Sequence, residues 1–214
     1  MSWAGLDLSR RFLRVWQRNR DVYFATWKTN LLPQLGEPFL YVVAFGLGLG
    51  ALVGEVTDAG RSVSYLRFLA PGMIGVGMIF QSYFEGTYGS YVRMYYQRTF
   101  AAQMTTPLTV EDVILGEIAW AATKAGMSTA LMTLVLGSLR LVDLPTALWV
   151  LPLSLLAGVI FGCLGLMITA LSPSIDFFNI PYVFVFSPMF LFSGTFFPLA
   201  QLPDWMEALA WTMP

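Results

Sequence analysis

The sequence has no histidine, a single cysteine and few charges, and each shortage removes a class of chemistry. Without histidine there is no Ser-His or Cys-His nucleophilic pair, no HExxH zinc site and no histidine proton relay. The lone Cys163 excludes an internal disulfide and a paired-cysteine metal site; inside an apolar run it reads as a small buried hydrophobe. The phosphate-cradling pattern G-x-x-x-x-G-K-S/T does not occur, so the chain brings no ATP-binding P-loop of its own. Charged residues are 12% of the 214 positions, about half the share found in soluble domains. Together with 57% hydrophobic residues and a mean hydropathy of +0.65, that leaves too little polar side chain to cover a soluble surface. The composition is that of an integral membrane protein. A net charge of −1 gives no electrostatic footprint for nucleic acid.

What the chain does have is long apolar runs. A membrane helix needs about 20 apolar residues, and five segments meet that length. Residues 29–54 hold one charge, Glu37; residues 68–92 hold Glu85; residues 113–139 hold Glu117 and Lys124; residues 144–175 and 177–203 hold none. The expected fold is all-α: a polytopic membrane protein with five transmembrane helices. An N-terminal cytoplasmic segment, residues 1–28, precedes a membrane domain over residues 29–214. Lys and Arg concentrate on the cytoplasmic side of membrane proteins. With the N-terminus inside, the inner flanks hold Arg10, Arg11, Arg14, Arg18, Arg20, Lys28, Arg93 and Arg98, against Arg61, Arg67 and Arg140 outside. The predicted location is a multi-pass protein of the plasma membrane, the inner membrane of a bacterium.

Residues 6–28 read as an amphipathic helix. Phe12, Trp16, Tyr23 and Trp27 fall on one face, flanked by Leu13 and Phe24, with Arg11, Arg14 and Arg18 off it. A basic helix with aromatic anchors suits the membrane interface; the alternative is a solvated helix packed on a partner. Gly46, Gly50 and Gly54, and Gly158 with Gly162, have the small-residue spacing that lets helices approach closely, within the chain or between copies.

Three groups of residues stand out as functional candidates. Residues 93–112 form the one substantial inner loop, where Arg93, Arg98, Phe100, Met104 and Pro107 offer a docking surface of the arginine-and-aromatic kind. Thr109, with Glu111 and Asp112 after it, starts the next helix. Glu85, Glu117 and Lys124 are ionisable groups in or at the edges of spans, which marks either a structural network or a substrate path and gate. Glu117 and Lys124 are seven residues apart, about 10 Å along a helix, and so are not expected to pair directly. Finally, the fifth span breaks at Ser193-Gly194 and runs through Phe197, Pro198 and Pro203 into a short apolar helix around Trp205. That helix is too short to span, and reads as a re-entrant or interfacial element on the outer side.

The segments MTTPLTVEDVILGEI (104–118) and LFSGTFFPLAQLPDWMEALAWTMP (191–214) resemble the membrane subunit of ABC-2 type ABC exporters. The second has the pattern SG-x-x-FP, then a P-x-W helix, then a proline. The likeness covers nearly the whole chain and is to the NodJ-like branch, associated with lipo-oligosaccharide export. It implies a permease subunit, not an enzyme, that pairs with a second permease subunit, as a homodimer, and docks a separate ABC ATPase; the chain itself takes no cofactor, and ATP and Mg²⁺ belong to the partner. The loop around residues 93–106 would be the coupling helix, the N-terminal helix the connecting helix, and Ser193, Gly194, Phe197, Pro198, Pro203 and Trp205 an outer gate. Family members continue beyond a proline matching Pro214 into a sixth span, so the sequence is either truncated there or that of a shortened variant. The cargo implied is amphiphilic: a lipo-oligosaccharide, a polysaccharide or a hydrophobic drug. An ion-coupled secondary transporter is the alternative; it would need midplane charges and repeated halves, and spans four and five hold no charge. A membrane-embedded enzyme lacks any visible nucleophile-and-base pair.

Overall fold

Apart from one hairpin, every regular element among the described residues is helical. A computed structural model of the chain describes residues 10–58, 61–199 and 203–211. Pro214 and the side chain of Glu37, both singled out in the sequence, lie outside the described residues.

Helix α1 is Phe12–Ala25. One turn residue, Thr26, separates it from α2, a helical run over residues 27–53 that contains a π-helical turn at Ala44–Leu49. Strands β1, Glu55–Asp58, and β2, Arg61–Ser64, then pair antiparallel, with Val56 opposite Val63. Helix α3 runs over residues 65–96: an α-helical part Tyr65–Phe84, then π-helical turns at Glu85–Gly89 and Val92–Tyr96. After a left-handed residue, Arg98 (φ 52°), comes the short α4, Thr99–Met104. Helix α5 is Val110–Ser138, α6 is Leu144–Leu171 with a turn near Trp149, and α7 is Ile175–Phe192, opening with a 3₁₀ turn. Helix α8 is Asp204–Trp211.

Helices are what the bilayer permits, because each backbone donor and acceptor is satisfied within the segment. Helices α6 and α7 are long and apolar enough to cross a membrane, and they coincide with the fourth and fifth predicted spans. The fifth stops at Phe192 rather than 203. Helix α5 starts with a reciprocal capping box: Asp112 N–H donates to Thr109 Oγ1 (3.3 Å) and Thr109 N–H to Asp112 Oδ2 (3.2 Å). Backbone donors at this helix start, together with Thr109, hold the exposed Glu111 carboxyl below its usual pKa. The hairpin was not legible as a span or a loop signal. Its strands are four residues long, and only Val56 and Val63 carry the alternation.

The contacts divide the chain into two units. The first holds the residues up to Asn30, Met78–Met127 and Pro152–Phe178. In it α1 lies along α5. Val15 packs at Gly116, Trp16 Nε1–H donates to Thr123 Oγ1 (2.9 Å), and Tyr23 meets Trp120 edge-on with ring centres 5.5 Å apart. The buried face of α1 is therefore Val15, Asn19 and Tyr23, rotated from the aromatic stripe read in the sequence because a buried polar residue has its partner on α5. Gly158 and Gly162 of α6 sit against Ala122 and Ala121 of α5, so this small-residue pair serves packing within the chain. The second unit holds Leu31–Gly77, Ser128–Leu151 and the described residues from Asn179 on. Its core includes Leu69, Met73, Ile74, Met132 and Leu136.

Candidate functional site

The first unit holds a cluster of four charges, two buried acids and two part-buried cations. Two come from α3 (Glu85, Arg93) and two from α5 (Glu117, Lys124). Arg93 bridges both acids: Nη1 lies 2.7 Å from Glu85 Oε1, while Nε–H and Nη2–H donate to Glu117 Oε2 at 2.9 and 2.5 Å. Lys124 Nζ donates to Glu85 Oε2 at 2.8 Å. Ser90 Oγ donates to Glu117 Oε2 at 3.1 Å, and Arg93 Nη2–H reaches Ser90 Oγ at 3.3 Å. The remaining Glu117 oxygen, Oε1, accepts from Asn19 Nδ2 of α1 at 2.8 Å. Glu117 is 1% exposed, Glu85 7% and the Arg93 side chain 13%. Two acids and two cations sum to zero, which is what makes such burial tolerable: an uncompensated buried charge is far more costly than a paired one.

Glu117 and Lys124 do not pair with each other; each meets a partner on α3. The two π-helical turns of α3 contain Glu85 and Arg93 and flank Ser90, and such turns are frequent at functional sites. Arg93 is turned inward, where Glu85 and Glu117 pair with it, and away from the loop surface to which the sequence assigned it. Asn19 and Ser90 were missed by the sequence reading. The available signal for Asn19 was the four-residue spacing Val15, Asn19, Tyr23.

Helix α1 ties this cluster to the inner loop. Arg18, next to Asn19, donates through Nη1 to Asn19 Oδ1 (3.1 Å) and through Nη2 to Thr99 Oγ1 at the start of α4 (3.3 Å). Burial, and after it the Arg93 charge, lower the Arg18 pKa, with Glu117 opposing. Arg11 Nη1–H donates to the Pro107 carbonyl at 2.8 Å. Lys124 also lies over the Tyr23 ring, 5.6 Å from its centre. On the loop itself Arg98, Met104 and Pro107 are exposed and Phe100 is half-buried, with Tyr95 and Tyr96 exposed just before them.

In the second unit, α7 ends where the sequence breaks. Ser193 Oγ–H bonds the Phe190 carbonyl (3.1 Å) and lies 2.8 Å from Thr195 Oγ1. Gly194 has φ +76°, a left-handed conformation that side chains with a Cβ resist. Thr195 is buried against Gly72 of α3, and Phe196 stacks near Phe45 and Phe190, at 5.6 and 4.9 Å between ring centres. Phe197 and Pro198 are half-buried; Pro203 and Trp205 are exposed. The Pro203 carbonyl accepts from Met206 and Glu207 N–H, opening α8, which packs back on Ser187–Phe192.

The described residues thus form a helical protein with apolar spans and a loop tied to a charge cluster; comparison with known proteins gives the family. The ABC-2 type transporter family model matches residues 10–214. Nodulation protein J of Rhizobium leguminosarum bv. trifolii is 38% identical over 206 residues, 96% of this chain and 77% of that protein. Nodulation protein J of Sinorhizobium fredii is 35% identical over 207 residues, 95% and 76% respectively. The inner membrane transport permease YadH of Escherichia coli is 24% identical over 202 residues, 94% and 76%. No solved structure matches. The chain belongs to the ABC-2 type transporter family. It is an integral membrane transport subunit of an ABC exporter, of the nodulation-protein-J type, and it works with an ABC ATPase subunit rather than as an enzyme.

Proposed function

We propose that this chain spans the membrane five times with its N-terminus in the cytoplasm. It pairs with a second copy and moves an amphiphilic molecule outward, with a lipo-oligosaccharide as the substrate class that the NodJ-like resemblance favours. ATP and its Mg²⁺ are held by the partner ATPase. The loop around residues 93–106, through Arg98, Phe100 and Met104 with Pro107 just after it, is the ATPase docking surface. The observation that carries this reading is the attachment of the loop to the membrane helices: Arg18 holds α4, and its neighbour Asn19 holds Glu117 inside the four-charge cluster. A push on α4 is transmitted to α3 and α5 through paired charges that have few alternative arrangements. Because Glu85, Glu117 and Lys124 are all paired within the cluster, they serve this coupling rather than a substrate path.

The test is to purify the tagged chain from its native host and identify the accompanying proteins. A P-loop ATPase is expected to co-purify, and the double substitution Phe100→Asp/Met104→Asp is expected to reduce its recovery at least about tenfold, by placing carboxylates at an apolar interface. Undiminished recovery would remove the loop from the docking surface.

The break at Ser193-Gly194 and the helix after Pro203 form the outer lid in this reading. Gly194→Leu forces a side chain into a left-handed backbone and toward Leu199, a strain of about 1–3 kcal/mol. Export is expected to fall while the amount of inserted protein stays near normal. Normal export by this variant would argue against a lid here.

A further inference from the structure

Glu85 does not reach across open space to its partners. Its carboxylate folds forward along α3 and lies over Gly89, one turn on. A Cβ built at position 89 would stand 2.8 Å from Glu85 Oε1, 3.0 Å from Cδ and 3.2 Å from Oε2. The three atoms nearest that Cβ all belong to this one carboxyl group. The neighbouring Gly86 differs: its Cβ would meet the backbone of α6. Gly89 is therefore not chiefly a helix-packing glycine. Nor is the carboxylate free to swing aside, since Oε1 is held by Arg93 (2.7 Å) and Oε2 by Lys124 (2.8 Å), and the side chain is buried.

We infer that Gly89 is a positioning residue of the transporter: its missing side chain is the seat of the Glu85 carboxylate. From that seat Glu85 holds Lys124 of α5 with one oxygen and Arg93 with the other, and Arg93 is thereby aimed at Glu117. Any larger residue at position 89 displaces the carboxylate and releases both cations at once. The effect on transport rests on the permease reading above; the local claim does not.

A double-mutant cycle tests it, using the wild type, Gly89→Ala, Glu85→Asp and the double variant, each purified with its ATPase partner in lipid nanodiscs. Aspartate is one methylene shorter and withdraws the carboxylate from the seat. Gly89→Ala is expected to lower kcat for ATP about tenfold while KM for ATP stays within about twofold, because the nucleotide site is in the partner. Glu85→Asp alone is expected to do less. The double variant should match Glu85→Asp, the alanine adding no further loss. An equal loss from Gly89→Ala in both backgrounds, or none in either, would overturn the inference. Where Gly89→Ala yields little complex, the same cycle is read on the amount and Tm of the purified chain: recovery in the Glu85→Asp background supports the seat, and no recovery refutes it. A wild-type chain that brings down no ATPase would sink the permease reading, while the Tm cycle would still decide the role of Gly89.

Discussion

Arg93→Ala is expected to be the most damaging single change in the first unit. Among the described residues the arginine is the cation that pairs with both acids of the cluster, at 2.7 Å to Glu85 and 2.5 Å to Glu117. Its removal leaves two carboxylates and one lysine, a net negative charge in a buried site. Breaking such a pair by deleting one partner typically costs about 3–5 kcal/mol, because the surviving charge keeps its desolvation penalty. A lower yield of detergent-stable protein and a markedly reduced Tm are the expected readings. Two companion variants make the argument specific. Arg93→Lys keeps the charge but replaces a planar fork by a point charge, so it should satisfy one acid and recover only part of the loss. Arg93→Leu/Glu117→Leu removes a matched pair and leaves Glu85 with Lys124; it should be more stable than Arg93→Ala. A double variant no better than the single one would mean that charge balance is not what holds the cluster.

Gly86→Leu should rival it by a different mechanism. A Cβ at position 86 would lie 2.7 Å from the Gly162 carbonyl oxygen and 3.1 Å from Gly165 Cα. These are backbone atoms of α6, which cannot rotate away as a side chain does. The close crossing also lets Thr169 Oγ1–H reach the Gly86 and Thr87 carbonyls at 2.9 and 3.2 Å. Leucine would separate the helices and break the Thr169 hydrogen bonds, so the loss should exceed the about 1–3 kcal/mol usual for overpacking. Gly75→Ala is the matched control, since a Cβ there meets nothing within 4 Å. Size-exclusion profiles and Tm should separate the two variants clearly; similar behaviour would contradict the crossing.

The membrane class, the fourth and fifth spans, the capped start of α5 and the break at Ser193-Gly194 were legible because each has a local cause. Long uncharged runs, a Thr-x-x-Asp box and a glycine before a Phe-Pro pair act over a few residues. The family likeness was equally local, resting on two stretches of sequence. The four-charge cluster was only half legible. Glu85, Glu117 and Lys124 stood out as charges in apolar runs, but Arg93 sits where a span meets a loop, and composition assigns such arginines to the surface. It lies in a π-helical turn, which has no simple sequence signature, and pairs inward with Glu85 and Glu117. Asn19 and Gly89 were invisible for the same reason: a polar residue in a basic helix and a glycine in a glycine-rich span are ordinary until their partners are known. The hairpin was lost because a search for 20-residue runs passes over four-residue strands.

The central claim is that the loop containing α4 is the surface that meets the ATPase. Site-specific cross-linking measures this most directly. In a Cys163→Ser background, which removes the one native thiol, cysteine is introduced as Met104→Cys on the loop or Trp205→Cys on the outer helix, and each complex is treated with a short thiol-to-amine cross-linker. An ATPase adduct is expected from Met104→Cys and none from Trp205→Cys. An adduct from Trp205→Cys with none from Met104→Cys would contradict both the docking surface and the orientation of the chain.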